Sequence, residues 1–217
     1  MSPSEPISSD LTRKKNRQWN SYLQSVKKHL VPFLCGLLLG PTLILLHECG
    51  HCAAGAFLGW RVKLHYAESD FNAPKGRLTQ QKDLLVTSAG PLLGAVMALA
   101  GFFWLRRLRE HRLAAAVGPA DWLATTLLVF NTGRWFRCVT GPPSNPMPND
   151  EAWISRGVGL PAWLLPYLLG LIALIVLIAT IRLHPRGSRC LPFLSLGLGG
   201  VTGTLLWMKI VGPLLLP

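Results

Sequence analysis

The 217-residue sequence contains few acidic residues, and their scarcity limits the functions that the chain can serve. Asp and Glu number 10 against 22 Lys and Arg, so the formal net charge is +12. A metal transporter would need several acidic or His positions along a path through the membrane, whereas here such residues form one cluster. The basic residues are not interleaved with aromatic residues as in a nucleic-acid groove, so we expect no nucleic-acid partner.

Cysteines are also scarce, and their spacing does not suggest disulfides. The chain has five, all within or beside apolar runs: Cys35, Cys49, Cys52, Cys138 and Cys190. Secreted disulfide frameworks instead show paired spacings outside apolar runs. Cys49 and Cys52 form one C-x-x-C, but no second pair follows that would complete a metal or redox site. We interpret these two residues as small helix-packing residues.

Long apolar runs are abundant, and half of all residues are hydrophobic. Runs of about 18 or more apolar residues are typical of transmembrane helices, which satisfy their backbone hydrogen bonds without water. We predict an all-α, polytopic transmembrane bundle with about five spans. The predicted spans are residues 30–59, 84–105, 122–136, 161–181 and 191–211. The third is short and carries Asn131 and Arg134, so we do not expect lipid on all its sides.

Basic residues flank the apolar runs and predict an orientation. We interpret residues 1–28 as a basic, polar tail that is partly disordered, with a surface helix near 19–26, and residues 29–217 as the membrane domain. Lys and Arg favour the cytoplasmic side of membranes. The basic connections 106–112 and 182–189 fall on the same side as the tail. We expect a multi-pass protein that lies in the lipid bilayer of the plasma (inner) membrane.

The connection after the first span has a different periodicity. Val62, Leu64 and Tyr66 alternate with polar residues over 61–67. A period of two is typical of a β-strand, and residues 72–76 are rich in turn-forming residues. We therefore predict a short strand or hairpin here.

The first span contains an H-E-x-x-H motif, His47-Glu48-Cys49-Gly50-His51. Residues four apart share one face of a helix, so both imidazoles can reach one metal ion. Glu48 then lies beside the open position of the metal, where it can accept a proton from water. Chance is the alternative, but three ionisable residues in an apolar helix are costly and usually functional.

A tetrahedral catalytic zinc ion needs a third protein ligand. We prefer Asp150, which follows a proline-rich stretch, and Glu151 is the rival ligand. Asp150 or Asn149 can also cap a helix that begins here, and capping does not exclude metal binding. The histidines of the other connections are interpreted as solvated residues: His65, His111 and His184.

Three stretches together resemble the site-2 protease family of intramembrane zinc metalloproteases, particularly its compact bacterial-type members. They are the H-E-x-x-H motif within a span, Ser88-Ala89-Gly90-Pro91 at the start of the next span, and an Asn-Pro-x-Pro-like stretch that ends at Asp150. The resemblance covers roughly residues 35–155.

This resemblance implies an activity and its residues. Zinc would be bound by His47, His51 and Asp150, and Glu48 would be the general base. Residues 29–217 would be a metalloprotease domain that hydrolyses peptide bonds of transmembrane protein substrates, as in regulated intramembrane proteolysis. The alternative is a catalytically inactive, zinc-binding membrane scaffold of the same fold, against which the presence of Glu48 argues.

The sequence departs from the family in places that concern the site. The usual Leu-Asp-Gly around the acidic ligand is here Asn149-Asp150-Glu151. The Asn that precedes the prolines in the family corresponds either to Asn131 or to Asn145, and both are candidate site residues.

Gly90 and Pro91 are further candidate site residues, because they belong to the small-Gly-Pro stretch that resembles the family. A Gly on a packing face and a Pro at a helix start are equally explained by structure alone.

Overall fold

The computed structural model describes residues 7–66, 68–72, 79–110, 117–137, 149–185 and 190–216, without the side chains of 7–12 and 133–137. The described chain is mostly helical. Its elements in order are helix α1 (Ile7–Phe57), strands β1 (Arg61–Leu64) and β2 (Ser69–Asn72), helices α2 (Gln80–Glu110), α3 (Pro119–Arg137), α4 (Asp150–Gly157), α5 (Leu164–Leu183) and α6 (Cys190–Leu206), a π-helical turn (Trp207–Val211) and α7 (Gly212–Leu215).

Four helical stretches are long and apolar enough to cross a bilayer. They are Arg13–Phe57, Gln80–Glu110, Leu164–Leu183 and Cys190–Leu215. They contain the first, second and last predicted spans almost entirely and most of the fourth, which indicates a multi-pass membrane protein. α3 occupies the third predicted span but, over its described residues, is not among the four, and it carries Asp121, Asn131 and other polar residues.

α1 is longer than the predicted first span. Residues 7–28, which we expected to form a tail, make up its N-terminal part, and the side chains of 13–28 are exposed. The helix continues through Pro32 and Pro41. At about 1.5 Å per residue it is about 77 Å long, against a hydrocarbon core of about 30 Å. Much of its N-terminal half therefore extends beyond any membrane that the helix crosses.

The predicted hairpin is confirmed. β1 and β2 pair antiparallel, with Leu64 opposite Ser69. The hairpin packs on the end of α1, where a methyl group at Gly55 would lie 3.0 Å from the ring of Phe71. On its other side the carbonyl of Tyr66 accepts a hydrogen bond of 2.7 Å from the indole of Trp207. The hairpin thus joins α1 to the C-terminal end of the chain.

Helices α1, α2 and α3 alternate in direction. α2 returns beside α1 after the hairpin, so that the two helices are antiparallel. α3 is antiparallel to α2, because Gly94 lies against Asn131 while Gly101 lies against Ala124.

α5 runs in the same direction as α2. Near its start, the backbone N–H of Leu165 donates to the hydroxyl of Ser155 on α4. Beyond its end, His184 contacts Thr125 near the beginning of α3. The chain must therefore travel back between α2 and α5, and α3 covers that distance.

α6 runs parallel to α1 along a close contact that we call the glycine seam. A methyl group at Gly199 would lie 2.8 Å from the backbone carbonyl carbon of Phe33, and one at Gly203 would lie 2.8 Å from that of Leu37. Only glycine permits backbones to approach this closely. α1 and α6 therefore form a tightly packed pair.

Most of the described basic residues lie at one end of this bundle, which we call the basic end, whereas the other end carries fewer: Arg61, Lys63, Lys82, Arg156 and Lys209. The basic end contains residues 13–28 of α1, the last turn of α2 with Arg107 and Arg109, and Arg182 at the end of α5. The H-E-x-x-H motif and the hairpin lie toward the opposite end.

Candidate metal centre

α1 brings the two histidines of the motif together, as their spacing predicts. His47 and His51 are both buried, with 2% and 6% of their surface exposed. Their Nε2 atoms lie 3.0 Å apart. A helix places residues four apart on one face, so this convergence follows from the local sequence.

α4 supplies a carboxylate to the same point. Oδ2 of Asp150 lies 2.9 Å from Nε2 of His47 and 3.4 Å from Nε2 of His51. Burial raises the pKa of the Asp150 carboxyl, but its hydrogen bonds with the two histidines outweigh burial and hold that pKa well below its usual range.

The cap of α4 explains why this carboxylate faces the histidines. Asn149 is the N-cap residue, and its side-chain oxygen accepts a hydrogen bond of 2.7 Å from the backbone N–H of Ala152. Capping by Asn149 satisfies a donor that the first turn leaves without a helical partner. Asp150, as the first helical residue, directs its own side chain to His47 instead.

The three converging atoms have the spacing of metal ligands. Their separations of 2.9, 3.0 and 3.4 Å compare with about 3.3–3.4 Å between ligands of a tetrahedral zinc ion with bonds of about 2.0–2.1 Å. Among the described residues this is the one group of three or more His, Cys, Asp or Glu side chains that could hold a metal ion.

The surroundings of His51 fix which of its nitrogens can bind a cation. Its Nδ1 lies 2.8 Å from the carbonyl oxygen of Val86 on α2. A carbonyl only accepts, so Nδ1 carries the proton and donates it. The lone pair is then on Nε2, which faces the group. Orientation of a ligating imidazole through its other nitrogen is usual in metal sites.

Gly90 lets α2 approach the two imidazoles. A methyl group at this position would collide with Nε2 of His51 and would lie 2.7 Å from Nε2 of His47. A side chain at Gly90 would thus fill the space that the histidines and a metal ion need. Pro91 follows within α2 and has no hydrogen bond to the group.

Glu48 lies beside the group without belonging to it. The hydroxyl of Ser69, on strand β2, donates a hydrogen bond of 2.9 Å to Oε2 of Glu48. The thiol of Cys52 in turn donates to this hydroxyl over 3.5 Å. The sequence did not single out Ser69, because only the fold of the hairpin onto α1 brings it to the motif.

Glu48 also borders a cavity of about 550 Å³, which we call the α1/α3/α6 cavity. Its walls are mostly aliphatic side chains and glycines from these three helices. Among its lining residues are Gly40, Glu48, Phe130, Asn131, Gly200 and Val201.

Of the two Asn candidates, Asn131 lies at this cavity. It is buried, and its amide donates 2.7 Å to the carbonyl of Leu127. Asn145 lies outside the described residues. Glu151, the rival ligand, is buried with 1% of its surface exposed but is not part of the three-residue group.

The three histidines of the connections have different environments. His65 pairs with Asp70 within the hairpin, at 3.0 Å. The prediction that His184 is solvated is wrong, because only 1% of its surface is exposed and its ring stacks on Trp122. His111 lies outside the described residues.

The sequence matches no family model, no curated protein and no solved structure. What the chain does is therefore inferred from the site itself, together with the motifs noted above.

Proposed function

We propose that this chain is a zinc-dependent intramembrane endopeptidase, similar to site-2 proteases, that hydrolyses peptide bonds of membrane-protein substrates. The observation that supports this most directly is that the buried His47 and His51 on α1 converge with the half-buried Asp150 on α4, with Glu48 next to them. Ionisable residues are rare in apolar helices and usually functional there.

The donor set, placed on a helix that carries the H-E-x-x-H motif, fits zinc. Two imidazole nitrogens and one carboxylate oxygen are a common three-ligand set for catalytic zinc, in which a fourth position stays open. When bound, zinc acts as a Lewis acid that polarises the carbonyl of the peptide bond.

Glu48 is the residue that we assign to proton transfer. It accepts a proton from the attacking water and then passes it to the leaving amine. Its hydrogen bond with Ser69 holds the carboxylate in one orientation. A merely structural scaffold would not require a carboxylate held in place at this position, so the contact favours an enzyme over the inactive alternative.

The helix directions support five crossings rather than four. α2 and α5 run the same way, so α3 must return the chain between them, and its polar residues are covered by α1, α2 and α5. With the basic end in the cytoplasm, as Lys and Arg favour, the metal group lies toward the outer face. We propose the plasma (inner) membrane as the location of the protein.

The test measures zinc and cleavage in the same detergent-purified proteins. The wild type should hold stoichiometric zinc by mass spectrometry, and His47→Ala should lose it. His65→Ala is the matched control, because that imidazole pairs with Asp70 in the hairpin.

Glu48→Gln should keep zinc yet lose cleavage of co-expressed single-span reporter proteins, by about 10²-fold or more. Zinc retained by His47→Ala, or reporters cleaved equally by Glu48→Gln, would contradict the proposal.

A further inference from the structure

The α1/α3/α6 cavity has the composition of a site for an apolar peptide. Its volume of about 550 Å³ lies within the range of about 300–1,000 Å³ that is usual for binding pockets. Apolar walls surround a few polar groups, namely Glu48, Asn131 and Thr204. Such a site accepts aliphatic side chains and excludes charged ones, since a buried charge without a partner is costly.

The cavity opens sideways, toward the surface that lipid would cover. Val201 on α6 lines it and is 60% exposed, and the neighbouring lining residue Leu205 is also exposed. α6 is fixed to α1 by the glycine seam, whereas α3 packs chiefly on α1, α2 and α5. The opening therefore lies between α3 and α6, with α1 as its floor.

Phe130 limits the size of this opening. Its ring reaches from α3 across to α6, where it contacts Gly200, and a methyl group at Gly40 on α1 would lie 3.3 Å from it. Glu48 is eight residues further along α1 than Gly40, about 12 Å along the helix axis. A segment that enters past Phe130 can thus extend along the floor to the proposed base.

We infer that the α1/α3/α6 cavity binds two or three apolar residues of an unwound transmembrane segment of the substrate, next to the bond that is cleaved, and that Phe130 sets the largest side chain it accepts. This rests on the proposed function. The substrate class is therefore membrane proteins with small or aliphatic residues beside the cleaved bond.

The test is photo-crosslinking of the purified protein to a synthetic apolar helix peptide that carries photoreactive leucine. Labelling should map to residues that line the cavity, such as Leu205 and Met208. Val201→Trp places a bulky ring in the opening and should reduce this labelling several-fold. Leu198→Trp is the matched control, because Leu198 is 64% exposed on the same helix but does not line the cavity.

A second variant tests the size limit. A peptide with Trp beside the photoreactive position should label the wild type poorly, and Phe130→Ala should allow this labelling. The inference is wrong if both Trp variants reduce labelling equally or if neither does. It is also wrong if Phe130→Ala leaves the preference unchanged, or if a photoreactive phospholipid labels the cavity and the peptide does not compete.

Zinc content separates this inference from the proposed function. If Val201→Trp keeps zinc, cleavage and labelling at wild-type levels, the peptide site is wrong while the protease proposal stands. If the wild type holds no zinc, the protease proposal fails, and crosslinking still reports whether the cavity takes a peptide.

Discussion

The carboxylate of Asp150 lies 2.9 Å from Nε2 of His47, although 103 residues separate them along the chain. This contact depends on how α4 docks on α2. Gly157, at the end of α4, leaves room for the side chain of Leu84 on α2. The backbone carbonyl of Gly157 accepts a hydrogen bond of 3.0 Å from the side-chain amide of Gln80. The start of α2 therefore determines the position of Asp150, the third ligand.

Because α4 docks in this way, Asp150 reaches the histidines and the adjacent Glu151 is not part of the group, so substitution of the two residues should have different effects. Loss of a residue that only hydrogen-bonds to a metal ligand lowers metal affinity by about 10- to 100-fold. Asp150→Asn should lower zinc affinity by more than this, because it weakens a direct ligand. Glu151→Gln should keep the metal, since Glu151 is not in the three-residue group. Competition against a chelator measures both affinities. Loss of zinc in the Glu151 variant alone would identify Glu151 as the ligand.

Gly90→Ala should abolish metal binding without removing any ligand. The added methyl group collides with Nε2 of His51, so the imidazoles must move apart. Gly94→Ala, one turn further along α2, is the control. There the nearest atom is Oδ1 of Asn131 at 3.3 Å, which can shift slightly. Zinc stoichiometry of the two folded proteins decides the matter, and normal zinc in Gly90→Ala would contradict the role assigned to this glycine.

Ser69→Ala should slow the reaction without releasing the metal. The variant removes the hydrogen bond to Oε2 of Glu48, and a bond to a charged group contributes about 1.5–3 kcal/mol, so we expect about a tenfold or larger fall in kcat. KM should change little.

Ser69→Thr, which keeps a hydroxyl, should restore most of the rate. Equal losses in the Ala and Thr variants, or a change confined to KM, would show that this residue only shapes the hairpin.

The orientation can be tested with single cysteines in a background without the five native ones. A cysteine at Phe71 in the hairpin should react with a membrane-impermeant maleimide in intact cells. A cysteine at Trp19, in the exposed basic part of α1, should react only after the membrane is opened. The physical reason is that the two positions lie toward opposite ends of the bundle. The reverse pattern would place the metal group toward the cytoplasm.

Much of this architecture follows from local sequence patterns. Four long apolar runs are helices, the alternation from Val62 to Tyr66 marks the edge of a hairpin, and residues 47 and 51 share a helix face. These features depend on periodicities that neighbouring residues alone create.

Other features depend on contacts between distant segments and could not be read in the same way. Ser69 reaches Glu48 only because the hairpin folds back on α1. His184 follows a span among basic residues, yet it is buried because Thr125 and Trp122 on α3 cover it. The sequence predicted a surface helix only near 19–26, whereas α1 runs without a break from residue 7, since a polar, basic composition is compatible with both a helix and a tail.

The glycine seam has a mechanical consequence. With backbones in direct contact at Gly199 and Gly203, α1 and α6 cannot separate without opening voids along two helical turns, so they behave as a single stiff unit. If the α1/α3/α6 cavity widens to admit a substrate segment, α3 and the adjacent α5 must then be the helices that move. A covalent cross-link between positions 130 and 201 would consequently keep the opening of the cavity at a fixed width, and it would not alter the metal ligands.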